Sequence, residues 1–248
     1  MTNLAGKVVL VSGAGRGVGR AAAQAFAAQG AVIAANDITP INLDVTLEKI
    51  WAAGGQAKEY ICDVGKKMPV ESMVDQVLSD WGRIDILVNA TSVQPRAALL
   101  DIDEWDWRRA IDVNLSGVFF MIQLVGRAMR AQGGGVIVNI LPAVGGQMAD
   151  PPTGWTERAA FIASKMGVIG LTQAAAYELS AYNIRVNAVC LSGFDTQPQQ
   201  EDLAPFDSSL RYSDQAQEAA EAALLLCSED VTHLTGQILY LSSRRCVT

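Results

Sequence analysis

The stretch from Val8 to Asp37 constrains the fold more than any other part of the chain. Val8-Val9-Leu10-Val11-Ser12 leads into Gly13-Ala14-Gly15-Arg16-Gly17-Val18-Gly19, and an alanine-rich run of helical character continues to Gln29-Gly30. A second apolar run, Ala31 to Ala35, closes on Asn36-Asp37. The order reads as strand, tight turn, helix, strand, acid. Residues without side chains let a backbone approach a pyrophosphate. A helix opening near Gly17 turns its free N–H groups and positive dipole end toward that anion. Asp37 lies 18 positions after Gly19, near the spacing of a carboxylate that accepts hydrogen bonds from an adenosine ribose. The Gly-x-x-x-Gly-x-Gly spacing differs from the commoner Gly-x-Gly-x-x-Gly, and a glycine cluster alone also occurs in plain βα turns. The strand before it, the helix after it and the acid beyond it are what point to a nucleotide. No Gly-Lys-Ser/Thr follows, which argues against a P-loop. An S-adenosylmethionine site, which uses a similar unit, stays open at this point.

The alternation of strand and helix persists to the end. A helix is expected from Leu43 to about Ala53, stopped by Gly54-Gly55, then a strand from Ala57 to Cys62 closing on Asp63-Val64. Pro69 suits the first turn of the next helix, which ends at Gly82, and Ile84 to Val88 forms a strand ending at Asn89. An amphipathic pattern from about Glu104 to Gln132 is bent near Asn114. A strand from Val136 to Leu141, a long helix from Ala159 to Tyr182 and a strand from Ile184 to Cys190 follow. Ser213 can cap a helix running to Ser228, and Gln237 to Leu241 is the last strand. Such repeated units predict one α/β domain over residues 1–248: a doubly wound parallel sheet of about seven strands with helices on both faces. Ligands of such sheets bind at the carboxyl ends of the strands.

Composition narrows the partners. The formal charge is −7 with no basic run, which makes nucleic acid and anionic membranes poor partners. Met1-Thr2-Asn3-Leu4 does not resemble a signal peptide, and no uninterrupted apolar span of membrane length is evident, so a cytoplasmic location is expected. Cys62, Cys190, Cys227 and Cys246 are scattered without C-x-x-C spacing and read as reduced, buried thiols. His233 is the sole histidine, which leaves almost no material for a histidine triad or a histidine-containing zinc site, and no metal is expected.

The whole chain resembles the short-chain dehydrogenase/reductase family. Ser12-Gly13-x-x-x-Gly17-x-Gly19 resembles its cofactor turn, Asp63-Val64 its adenine-contacting pair, and Asp112-Val113-Asn114-Leu115 its helix asparagine. Ala163-Ser164-Lys165 looks like the tail of its Tyr-x-x-x-Lys motif, Arg185 to Val189 its sixth strand, and Thr235-Gly236-Gln237 the approach to its last. The resemblance implies a Rossmann-type sheet and a nicotinamide dinucleotide. Its cofactor contacts would come from Gly13, Arg16, Gly17, Val18 and Gly19, from Asp37, Asp63 and Val64, and from Asn89, Lys165 and Thr196. Asn114 and Lys165 are the family's catalytic residues that remain. Asp37 favours NAD(H), because its carboxylate accepts from a 2′-hydroxyl and repels a 2′-phosphate. Arg16 offers NADP(H) a weaker counter-argument.

The departures fall elsewhere. Phe161 stands where the family has its tyrosine, four residues before Lys165, and Pro142 where it has its serine. Asn-Asn-Ala-Gly after strand four is here Asn89-Ala90-Thr91-Ser92, Pro-Gly after strand six is Leu191-Ser192, and Ser242-Ser243-Arg244 replaces Asp-Gly-Gly near the end. The adenylate-holding motifs are kept and the chemical half is altered. Phenylalanine has no ionisable group, and losing a positioned proton donor costs roughly 10²–10⁴ in rate. Ordinary carbonyl reduction is therefore expected to be very slow. An unknown small-molecule substrate needing no tyrosine proton, such as an iminium, a quinone or an activated alkene, is one reading. A nucleotide-sensing or scaffolding pseudoenzyme and non-redox chemistry in the same pocket are the others. Lys165 as a nucleophile and Glu157 as a substitute acid are minor variants. Thr91 and Ser92 bring hydroxyls to the same neighbourhood, where loop hydrogen bonding is the simpler role. Trp105 and Trp107 read as core or interface residues. The family implies a homodimer or homotetramer, paired through the two long helices, with which the apolar runs 118–129 and 169–176 are consistent.

Overall fold

The computed structural model describes residues 3–142, 157–191 and 210–241. Seven strands, β1 Val8–Ser12, β2 Val32–Asp37, β3 Gln56–Ile61, β4 Ile86–Asn89, β5 Gly135–Pro142, β6 Ile184–Leu191 and β7 Ile238–Leu241, form one sheet. Every neighbouring pair is parallel, in the order β3-β2-β1-β4-β5-β6-β7. The expected architecture is therefore present.

Side chains of successive strand residues point to opposite faces, and both faces are covered. Val8 and Leu10 join the core beneath α3 (Lys67–Trp81), α5 (Gly117–Gln132) and α6 (Ala159–Leu179). Val9 and Val11 join the opposite core, beneath α1 (Gly17–Ala28), α2 (Pro40–Ala52) and α7 (Leu210–Cys227). A strand buried on both sides must be apolar at every position, which is why β1 and β4 read as unbroken apolar runs. Each fully buried Leu, Val or Phe, such as Leu10 or Phe26, contributes about 1.5–3 kcal/mol relative to exposure. β3 lies at the edge and carries Gln56, Lys58 and Glu59, as edge strands do to discourage pairing with other chains.

The sequence places most boundaries to within a few residues, and the differences have local causes. β4 begins at Ile86 rather than Ile84, because the buried Asp85 carboxylate takes the N–H of Val8 at 2.9 Å and the guanidinium of Arg83. Ser213 is not the cap of α7: the helix is already under way at Leu210. The expected bend near Asn114 is a widened turn of π-helix, Asp112–Ser116, between α4 (Glu104–Ile111) and α5. The helix is continuous there but carries one extra residue in its turn, a device frequent at functional sites. Trp105 and Trp107 are 67% and 41% exposed, which removes them from the core. Two helical stretches, 104–132 and 159–182, are apolar and long enough to cross a membrane by composition, against the sequence reading, although each is about half buried within the fold.

Candidate active site

Strand order reverses around β1, whose two neighbours are β2 and β4. Loops leaving the carboxyl ends of β1 and β4 therefore part in opposite directions and open a crevice. A cleft of ≈ 330 Å³ lies there, walled by the glycine turn, Asn36-Asp37, Cys62 to Val64, Ala90 to Val93, and the ends of β5 and β6. Chain segments scattered in the sequence meet at this one edge because parallel strands put all their carboxyl ends on the same side.

The glycine turn is shaped by close approach. Gly13 has φ 69°, and a Cβ there would sit 3.0 Å from the backbone of Thr91. A Cβ on Gly19 would collide with the carbonyl of Gly13, so α1 can lie against the turn only with glycine at that position. Arg16, extended at φ −155°, precedes the first residue of α1 and makes no side-chain cap; no acid occupies the first turn. The helix's leading N–H groups are thus left for an anion. Asp37 is held in place by the turn itself: Gly15 N–H donates to its Oδ2 at 3.1 Å and Ile38 N–H to its Oδ1 at 2.8 Å.

Two features of this half were not visible in the sequence. Arg20 braces the turn from behind, donating to Thr46 Oγ1 at 3.0 Å and to the carbonyls of Gly15 and Asn42, while Thr46 donates to Ala14 O at 2.9 Å. Desolvation pulls the Arg20 pKa down, and Asp37 opposes it. Asn36 donates to the carbonyls of Tyr60 and Cys62, and its buried Oδ1 lacks a partner among the described residues. Thr91 Oγ1 is likewise buried without one, and both residues line the cleft. Buried oxygens left unpaired are costly, so a ligand with hydroxyl or amide donors fits this cleft.

Behind the cleft wall lies a buried cluster. Asn114 is fully buried and absent from the cleft lining, its amide closing both ways on Val93: it accepts from Val93 N at 2.8 Å and donates to Val93 O at 2.8 Å. A further 3.0 Å bond to Ser164 Oγ fastens this knot to α6. Asn89 donates to Asn139 Oδ1 at 2.8 Å inside the sheet, and its own Oδ1 lacks a partner among the described residues. Lys165 is 1% exposed, its Nζ 3.5 Å from Thr91 O and 5.8 Å from the centroid of the Phe161 ring, itself 2% exposed. Burial lowers the Lys165 pKa to about 7, slightly opposed by the neighbouring Cys190 thiol, which burial raises to about 12.

Of the residues proposed from sequence, Gly13, Arg16, Gly17, Val18, Gly19, Asp37, Asp63 and Val64 all line the cleft. Lys165 stands behind the Thr91 wall. Thr196 lies outside the described residues, as does Cys246; Pro142 contributes backbone opposite Leu191 at the end of β5. Glu157 is exposed with φ 62°, its carbonyl accepting from Ala97 N, and it is absent from the cleft lining. His233 is exposed near the start of β7. Arg109, which no motif marked, reaches the lining from α4. Cys62, Cys190 and Cys227 are free and buried.

The family described as short chain dehydrogenase matches residues 7–205. The chain belongs to this family. It is 37% identical to a 3-oxoacyl-[acyl-carrier-protein] reductase, FabG, of Thermotoga maritima, over 95% of this chain and 96% of that protein. It is 34% identical to the (2S)-[(R)-hydroxy(phenyl)methyl]succinyl-CoA dehydrogenase subunit BbsD of Thauera aromatica, over 96% of each. Among solved structures, a short-chain dehydrogenase/reductase from Burkholderia xenovorans superposes with a TM-score of 0.84 at 32% identity, over 97% of both chains. An NAD⁺-bound xylitol dehydrogenase does so with a TM-score of 0.81 at 28% identity, over 96% of this chain and 98% of the other. As a short-chain dehydrogenase/reductase this protein is an oxidoreductase by family, and the nicotinamide dinucleotide of that family, NAD or NADP, suits the cleft just described.

Proposed function

We propose that this protein is an NAD(H)-using oxidoreductase whose reaction centre works without a tyrosine, on a substrate such as an iminium, a quinone or an activated alkene. When bound, the dinucleotide would supply a hydride. Gly13 to Gly19 and the start of α1 would hold its pyrophosphate, Asp37 its adenosine ribose, Asp63-Val64 its adenine, and Lys165 its second ribose. The observation that carries the reading is the contrast between the cleft and what lies behind its wall. A carboxylate fixed by two backbone N–H groups lines the cleft, whereas behind Thr91 the buried Lys165 has beside it a phenylalanine ring, 5.8 Å to the centroid, with no hydroxyl to offer.

The choice of NAD(H) rests on Asp37, already fixed where a 2′-phosphate would have to enter, and on Arg20, whose guanidinium is engaged by Thr46 and two carbonyls. The bound NAD⁺ of the xylitol dehydrogenase neighbour is in keeping with it. Fluorescence titration should find NADH tighter than NADPH by tenfold or more; equal or tighter NADPH binding refutes the choice. NADH oxidation against a panel of carbonyls, imines and quinones tests the chemistry. Turnover confined to acceptors that need no tyrosine proton supports the proposal. Tight NADH binding with silence across the panel supports the second reading, a nucleotide-sensing or scaffolding protein, which the joint replacement of tyrosine and serine by Phe161 and Pro142 favours. The three buried free cysteines suit the reducing cytoplasm expected from the sequence.

A further inference from the structure

Arg109 lines the cleft without belonging to any of the motifs that built it, and its surroundings set it apart. Among the described residues the lining carries two cations, Arg16 and Arg109, and two anions, Asp37 and Asp63. Arg109 stands on α4, one helical turn before Val113, which also lines the cleft. Val113 shows which end of the cleft this is: a Cβ on Gly65 would meet its Cγ2 at 3.3 Å, so Val113 lies against the Asp63-Val64-Gly65 turn. The neighbouring Arg108 is engaged by Glu104 in an i,i+4 ion pair at 2.6 Å. Arg109 has acids one turn away on either side, Asp106 and Asp112, at a spacing that allows pairing. Among the described residues it pairs with neither of them, nor with Asp63 of the same lining. Its guanidinium lies instead over the ring of Trp105, 5.6 Å from the centroid.

We propose that Arg109 binds the adenine of the dinucleotide, laying its guanidinium on one face of the base while Trp105 holds it in place. The proposal rests on the reading of the cleft as a nicotinamide dinucleotide site and adds a residue to its adenine end. A guanidinium is planar and weakly hydrated, and it stacks on aromatic faces where an ammonium acts as a point charge. The rest of this end suits a flat, neutral base with an amino edge. Ile38 lines the cleft with an apolar side chain that is 52% exposed. Its strand end is tied to that of Asp63 by the Cys62 N–H, which donates to Asp37 O at 3.1 Å. The Asp63 carboxylate takes Gly65 N–H at 3.0 Å through Oδ1 only, which leaves acceptor capacity for an amino group. Two acids in the same lining offset the charge of Arg109 toward a further phosphate, but they do not weaken its stacking on a purine. The exposed Trp105, which the core does not use, gains a role as the support of that plane.

Binding tests this without a substrate. Calorimetric titrations would compare NADH, ADP-ribose, which keeps the adenine, and reduced nicotinamide mononucleotide, which lacks it. Arg109→Ala should weaken NADH and ADP-ribose roughly tenfold, as expected for loss of a partly desolvated cation–π contact. The mononucleotide should stay within twofold of its wild-type affinity. Alanine is the best helix former, so the urea midpoint should hold, and loss of binding is then not loss of fold. Arg109→Lys, which keeps the charge without the plane, should remain at least threefold weaker than wild type for NADH. Wild-type NADH affinity in Arg109→Ala, an equal loss for the mononucleotide, or full recovery by lysine each overturns the assignment. A loss confined to NADPH overturns it too, since the guanidinium would then serve a 2′-phosphate. A wild type that binds none of NADH, NADPH and ADP-ribose overturns the dinucleotide reading beneath it instead, and this assignment with it.

Discussion

A methyl group added to Gly19 would strike the carbonyl of Gly13, which belongs to the turn that must wrap an anion. Backbone cannot move aside as a flexible side chain can, so Gly19→Ala forces α1 away from β1. Overpacking of this kind costs about 1–3 kcal/mol. For a chain of this size that is a fall in Tm of roughly 2–4 °C per kcal/mol, to be read by calorimetry. NADH affinity should drop at least tenfold in the same variant, since the leading N–H groups of α1 would no longer aim into the cleft. Asp37 is the other residue on which the reading turns. Asp37→Ala should narrow the preference for NADH over NADPH to within a few-fold in paired fluorescence titrations, by removing both the acceptor for a 2′-hydroxyl and the charge that repels a 2′-phosphate.

At the scale of elements, the π-turn between α4 and α5 is what connects the cleft wall to the helix carrying Lys165. Its extra residue lets the Asn114 side chain reach across to Val93, 21 positions away, and to Ser164, 50 positions away. Asn114→Ala leaves the half-buried Val93 N–H and C=O without their side-chain partner, at a cost at or below the lower end of about 1–3 kcal/mol. The expected result is a lower urea midpoint, together with a raised KM, because the Ala90 to Val93 wall would loosen. Asn114 is thus a positioning residue in the geometry described. A variant with wild-type stability and lower kcat alone would restore it to the catalytic role that the family resemblance implies.

For the molecule as a whole, the cleft predicts linkage between ligand and stability. A ligand that binds only the folded chain stabilises it by about 2.7 kcal/mol at a hundred times its Kd. NADH should therefore raise Tm by roughly 5–10 °C, and a scan that does not move with NADH or NADPH counts against the dinucleotide site. Self-association, expected from the family, would use the outer faces of α5 and α6, where Phe119, Met166 and Tyr177 are exposed. Sedimentation should find a dimer or tetramer; a monomer at micromolar concentration removes that expectation.

What the chain announced by itself was local. The strand–glycine turn–helix–strand–acid order, the alternation of β and α, and the kept and altered motifs are all properties of neighbours in sequence, where spacing, side-chain size and periodicity act directly. Ser213 was misplaced as a cap for the same reason: a good capping residue is visible locally, while the packing that extends α7 back to Leu210 is not. What the tertiary structure decided is a matter of distant pairs. Thr46 meets Ala14 from 32 positions away, and Lys165 meets Thr91 from 74. Sequence shows that Lys165 follows Phe161 by one helical turn. Only the packing of α6 against the sheet and the β4 loop removes that ammonium from water, and desolvation is the force that lowers its pKa.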